Sequence, residues 1–576
     1  MNRNLILVFI VMAVVVIISQ QFLFKKEEPA QTGQKQQTQQ QQQRQQAAPA
    51  KPSNVAAPAH PPASTSKAVE EGKAESETVV ENDLYKITFT NKGGLVKSWL
   101  LKKYKDDKGN PLELVNEKAA SQFGYPLSLY TQDENLRNKL NSALYVGEAG
   151  AKLSVPGKLD FHYSDGDLTV DKEFTFDSSY VIRVHTSVER DGSYVTALPA
   201  WPSAFGDMTI PGTYSAQRND YYNGNDVQRL TPDKGGKTIS GGRVMQPPFE
   251  WAGVSDQYFA AIFIPDDAQH AAMVQLRNSM QVPKSASKPD PNDTSPVQVL
   301  GAAVGPLGSP VNVRLFVGPK ALDILQTVRS TAPDKNWDLR AVVDFGKFHF
   351  VARPLFLWLH WTYDHWIPNW GWSIIFLTVV INAALLPLRI MSMRSALKMQ
   401  KIAPQVQSIN DKYKKYSLKD PRRQEAQKEI SALYKEHDVN PAGGCWPLLI
   451  QMPFLWAFWT MLSAAIELRG AHWLWLSDLS QPDHLYLIPI TIILSTLMMQ
   501  RMTPQAGMNP EQAKMMNLMM PLMLGFMSWS VASGLGLYWL TGTIVGIVQQ
   551  WAMNRTALGK EIQAIQQKRA AKQAKK

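Results

Sequence analysis

The amino-acid sequence predicts a multi-pass α-helical membrane protein of six spans, five of them a core, with an all-β domain outside the cell membrane and a cytoplasmic helical hairpin. Three observations lead there. Apolar residues alternate with a period of two over residues 77–336, whereas long apolar runs dominate after about 340. A further run, "NLILVFIVMAVVVIISQQFLF" (Asn4–Phe24), is as long as a spanning helix requires. Lys and Arg are spread very unevenly over the connections between runs. The averages hide all this. Of 576 residues 44% are hydrophobic, mean hydropathy is −0.22, and 60 Lys+Arg against 49 Asp+Glu give +11.

In chain order, residues 1–24 read as an uncleaved anchor, because Ser19-Gln20-Gln21 is followed by more apolar residues and then Lys25-Lys26. Residues 25–76 read as a disordered tether; between 31 and 46, eleven of sixteen residues are Gln, too polar to offset chain entropy by burial. Residues 77–336 read as one antiparallel sandwich. "KEFTFDSSYVIRVHTSVER" (Lys172–Arg190) gives strand, turn and strand, with Ile182, Val184, Thr186 and Val188 on one face. "YKITFTNKGGLVKSWLLKKY" repeats the pattern around Gly93-Gly94. This domain shows little chemistry. Asp165 and Asp167 share a glycine-containing turn, His162 and His185 have no companions at ligand spacing, and the single cysteine, Cys445, excludes an intrachain disulfide. No metal site or cofactor is expected.

Residues 340–368 mix aromatics, His and Lys at helical spacing and read as an interfacial amphipathic helix broken by Pro354 and Pro368. Spans follow at about 371–388, 446–466, 485–501, 515–532 and 535–553, so both termini share one side. Twelve Lys/Arg lie in 389–445 and seven in the tail from Arg555, against Arg469 alone in 467–484. The positive-inside rule therefore places the segment 389–445, the basic tail 554–576 and the termini in the cytoplasm, and the β domain across the membrane. Within 389–445, Met399, Ile402, Val406, Ile409, Tyr413 and Tyr416 form a seam at coiled-coil spacing, which Pro404 is expected to bend or restart. Asp420-Pro421 caps a second helix through Tyr434. This hairpin reads either as self-packed with a solvated charged face or as a docking surface.

Polar residues inside the spans share a depth. Asn382 lies six residues before Leu388 and Gln451 six after Cys445, both roughly 9 Å inside the cytoplasmic helix ends at 1.5 Å per residue. Ser495, Thr496, Gln549 and Gln550 approach the same level, with Thr541 and Thr543 deeper. For one amide, interhelical hydrogen bonding is explanation enough. For a set on four helices, a wet cavity open to the cytoplasm is the better reading. Ten of the 22 Met fall between Met498 and Met527, among them Met499, Met515, Met519 and Met523. Singly these are lipid-facing filler; together they suggest a surface accepting varied apolar sequences.

"NPAGGCWPLLIQMPFLWAFW" (Asn440–Trp459), "NWGWSIIFLTVVINAALLPL", "SGLGLYW" (Ser533–Trp539), "WAGVSDQYFAAIFIP" and "FVGPK" together resemble the YidC/Oxa family of membrane protein insertases, of the Gram-negative type with a large periplasmic domain. The resemblance covers nearly the whole chain. It implies an inner-membrane insertase and chaperone, not an enzyme, with a periplasmic β-supersandwich and a hydrophilic groove open to cytoplasm and lipid. It implies as partners nascent membrane proteins (lipoproteins among them), the ribosome, the Sec translocon and the lipid bilayer. By position, Thr378, Gln451, Tyr538 and Trp539 correspond to groove-lining places, with Thr541 beside them. Asn382 stands where the family usually carries an arginine, and no Lys or Arg occurs between Gly371 and Leu388. A groove that works by hydration and by thinning the apolar barrier is therefore expected.

Two other classes compete. A small-solute transporter would show repeated halves, which these spans lack. A membrane-anchored carbohydrate enzyme would depend on the β domain. The tail "GKEIQAIQQKRAAKQAKK" fits contact with ribosomal RNA or anionic lipid, or a topology signal alone.

Overall fold

Alternation along Tyr85–Thr90 and Leu95–Lys105 folds that segment into an antiparallel pair, and the turn between them needs Gly93 and Gly94, at φ +72° and +57°. The strands Leu168–Phe176 and Val181–Arg190 pair in the expected register, with Ile182, Val184, Thr186 and Val188 all buried. The computed structural model describes residues 68–574 apart from 107, 148–149, 151, 232–241, 286–289, 291, 333–334, 414–415, 417–419, 438, 440–445 and 504–509. It describes only the backbone at 396, 423, 446–451, 510–516, 566 and 568–574. The anchor and the tether up to residue 67 lie outside these. The last residues assigned to the tether are bonded to the β domain, Glu70 to Ser164 and Gly72 to Leu144.

The β domain has a ten-stranded antiparallel sheet and two five-stranded sheets. Phe89 joins one small sheet to the large one through ring contacts with Phe161, Phe174 and Phe176. Asn219 joins the other, donating to the Gly301 carbonyl at 2.9 Å and accepting from Gln275. Lys172 is fully buried, and its ammonium donates to the carbonyls of Gly93, Gly94 and Leu127. Burial pushes its pKa down to about 7, and its bonds to the three carbonyls pin the Gly93-Gly94 turn to the sheet behind it.

Beyond the sandwich the period becomes helical: α1 (His349–His365), α2 (Trp370–Ala384), α3 (Leu386–Tyr413), α4 (Pro421–Glu436), α5 (Trp446–Ala464), α6 (Leu487–Met502), α7 (Pro510–Ser528), α8 (Ser533–Arg555) and α9 (Ala557–Ala574). α8 packs between α2 and α6, α7 packs on α6, and α5 on α1. The run expected as one span over 371–388 is broken after Ala384, because Pro387 lacks an N–H and disfavours helical backbone in the residue before it. Among the described residues no single helix is both long and apolar enough to cross a membrane; α2 and α3 together, bent by 47°, pass that test.

Of the bend or restart expected at Pro404, the restart does not occur. α3 runs through it, held laterally by Lys401 to Glu561 of α9 at 2.7 Å and Lys412 to Glu429 of α4 at 3.0 Å. The seam packs on α4, where Ala426 and Ile430 are buried opposite Ile402 and Tyr413. Asp420 caps α4 through the Arg422 N–H.

Candidate functional site

α2 turns its polar residues toward α8, and glycine on α8 makes the room. A Cβ at Gly542 would lie 3.9 Å from both the Asn382 amide nitrogen and the Thr378 methyl. Thr378 and Asn382 are both buried, and each bonds its own helix. The Thr378 hydroxyl donates to the Ile374 carbonyl at 2.6 Å, and the Asn382 Nδ2 donates to the Thr378 carbonyl at 2.9 Å. Gln549 of α8 crosses the gap, its Nε2 donating to the Asn382 carbonyl at 3.0 Å. That carbonyl is open to a side chain because the helix stops two residues later. Gln549 Oε1 is buried and without a partner among the described residues.

Thr378, Asn382 and Gln549 thus form one polar cluster. Gln550 turns the other way, to Asn554, whose amide bonds the Met502 carbonyl and ties α8 to the end of α6. Toward the opposite end of α8, Thr541 is buried, Trp539 is half-buried, and Tyr538 stacks on Phe458 of α5 with ring centroids 4.1 Å apart. Gln451 lies on α5, but its side chain and that of Met515 fall outside the described residues. Met498, Met519 and Met523 are exposed, whereas the Met499 methyl points inward toward Gly546.

Sequence reasoning missed Arg389, which it counted only as a topology charge. Its guanidinium lies under Gly546, where a Cβ would come within 3.0 Å of both terminal nitrogens. The spacing from Asn382, seven residues or two helical turns, was the available sign. Also missed was the contact of the β domain with the last turn of α5 and the connection after it. Arg469 bonds Asp207 at 3.1 Å, and Gln257 donates to the Ser463 carbonyl at 2.9 Å. Among the described residues no group of three or more His, Cys, Asp or Glu side chains could hold a metal. What the cluster offers is hydrogen bonding and charge within an apolar bundle.

Two families match. One is described as "60Kd inner membrane protein", over residues 361–561, and the other as "YidC periplasmic domain", over residues 77–358. The chain is 30% identical to the membrane protein insertase YidC of Syntrophus aciditrophicus (strain SB), over 97% of this chain and all of that one. It is 32% identical to the insertase of the same name from Cupriavidus necator, over 88% of this chain and 87% of that one. A crystal structure of an active YidC insertase with its first transmembrane domain resolved aligns over 86% of this chain and 96% of that one. The identity there is 17% and the TM-score 0.34.

Proposed function

The chain belongs to the YidC family of membrane protein insertases, and from that premise we propose that it inserts its clients through a polar groove between α2 and α8, open to the cytoplasm and to lipid. It is an inner-membrane insertase with a periplasmic β domain, whose substrates are nascent membrane proteins. The observation that carries the groove is the cluster of Thr378, Asn382 and Gln549 facing Gly542 inside an otherwise apolar bundle. A polar loop in hydrocarbon costs several kcal/mol per unpaired group. A wall of amides and hydroxyls lowers that cost partway across, while apolar segments partition outward into lipid. The step needs no covalent chemistry, so the chain acts as an insertase and chaperone rather than as an enzyme.

In this reading six spans leave both termini and the α3–α4 hairpin in the cytoplasm, as the Lys/Arg asymmetry supports. Clients arrive from the ribosome, alone or beside the Sec translocon, and the basic tail meets ribosomal RNA. Site-specific crosslinkers at positions 378, 382, 451 and 539 test the groove. All four are expected to capture ribosome-bound nascent chains carrying a membrane segment. Absence of adducts at every position would remove the groove assignment.

A further inference from the structure

Where the β domain meets the helices, two buried acids lie against each other. Asp256 accepts the backbone N–H groups of Tyr258 and Phe259 on one carboxylate oxygen, each at 2.6 Å, and so holds the turn 256–259. That turn is the part of the domain that docks. Gln257 donates to the Ser463 carbonyl at the end of α5, and Arg469 lies over the rings of Tyr258 and Phe259. Asp207 comes from the loop after the strand Leu198–Trp201 and gives one oxygen to Arg469. The remaining oxygens, Asp207 Oδ1 and Asp256 Oδ2, are both buried and without a partner among the described residues. Burial raises the Asp256 pKa well above the ordinary carboxyl value, and the charge and hydrogen bond of Asp207 raise it further.

Two ionised carboxylates in one buried place repel each other, and neither can donate to the other's free oxygen. One proton between them removes both defects. The pair then carries a single negative charge, which Arg469 matches. The other charges nearby are committed elsewhere. Lys320 donates to the Asp256 backbone carbonyl at 2.5 Å, and burial pushes its pKa down to about 7. Asp220 and Asp344 both bond Arg218, Arg229 lies 3.9 Å from Asp344, and Asp478 and Ser480 act on the Tyr258 phenol. We propose that Asp207 and Asp256 share one proton while the β domain is docked on the helices and release it when the two part, so that docking tightens in acid. The docked junction holds one proton more than the parted one, whose carboxyls, facing water, return toward about 3.9. The contribution of that proton is whole below this value and is lost as pH rises through the raised, docked one. Docking therefore weakens with rising pH, by at most about ten-fold per unit for one proton.

The test compares full-length wild type and Asp256→Asn in nanodiscs, reading amide protection of residues 466–484 from about pH 5 to about pH 8. Asn at 256 keeps the acceptor for the Tyr258 and Phe259 N–H groups and supplies a permanent donor to Asp207. Wild-type protection is expected to fall with rising pH, by up to about ten-fold per unit, and that of Asp256→Asn to stay level. The infrared spectrum gives a second readout at about pH 5, where ordinary carboxyls are ionised. A protonated-carboxyl band is expected in wild type, lost in Asp256→Asn and moved in Asp207→Asn, whose amide is a weaker acceptor. Wild-type protection indifferent to pH would overturn the proposal. So would a slope that survives in Asp256→Asn, which would assign the titration to Lys320 or another group. A fall that spreads equally over the strands Leu168–Phe176 and Val181–Arg190 would report unfolding of the sandwich and overturn it too. An infrared band absent from wild type, or unmoved in Asp207→Asn, would remove the shared proton.

Discussion

Asn382 illustrates what one residue's sequence position fixes and what it leaves open. Its depth in an apolar run is legible, because an amide there must be bonded or wet. Its partners are not: the Thr378 carbonyl comes from its own helix, and Gln549 from a segment 167 residues away. Arg389 was harder still, since an arginine just past an apolar run is the commonest topology signal, and only Gly546 on another helix reveals that its half-buried guanidinium lies between helices. Asn382→Arg would place a guanidinium opposite Gly542. The variant is expected to change insertion of acidic-tailed clients more than that of neutral-tailed ones, measured as paired insertion yields. Equal changes in both would show that charge at this depth has no part in client choice.

At the scale of elements, period decides nearly everything in the sandwich and much less in the bundle. Strand faces followed from alternation, and the Gly93-Gly94 turn from glycine alone. The restart allowed for at Pro404 does not occur, since α3 continues across it with Lys401 and Lys412 paired to neighbouring helices, and such pairs are invisible to local pattern. Strand edges carry a comparable long-range term. Glu81, ending the strand Glu77–Glu81, bonds Lys102 at 2.7 Å, from the strand Leu95–Lys105 two places away in the sheet, and Lys152 at 2.9 Å, from the adjacent strand Lys152–Ser154. Those hydrogen bonds lower its pKa to about 2, below the ordinary glutamate value of about 4.3. A carboxyl with a depressed folded pKa adds stability that is whole above the unfolded value and is lost as pH falls through the folded one. Glu81→Gln is thus expected to melt earlier than wild type at neutral pH. The two melting temperatures should converge between about pH 4 and pH 2. Parallel curves across that window would show that the bridge contributes nothing.

For the whole molecule, the question is how a large β domain stays in register with the helices that handle the client. The Asp207–Arg469 pair spans 262 residues of sequence, and its side chains are only 13% and 15% exposed. Arg469 also lies over the rings of Tyr258 and Phe259, 5.6 Å and 5.5 Å from their centres. No local pattern predicts such a pair; as the lone cation in 467–484, Arg469 counted in the sequence only as a minor exception to a charge rule. In the folded chain it latches the domain to the connection between α5 and α6. A partly buried charged hydrogen bond of this kind contributes about 2 kcal/mol, roughly thirty-fold in an opening equilibrium. Arg469→Gln should therefore speed amide exchange across residues 466–484 by about that factor in the intact protein in nanodiscs. Asp207→Asn with Arg469→Gln should recover part of the protection, because no uncompensated charge then remains at the junction. If exchange in that connection is indifferent to both changes, the β domain is held by its apolar contacts alone. If it quickens while insertion is unaffected, the latch serves the domain's placement and not the groove.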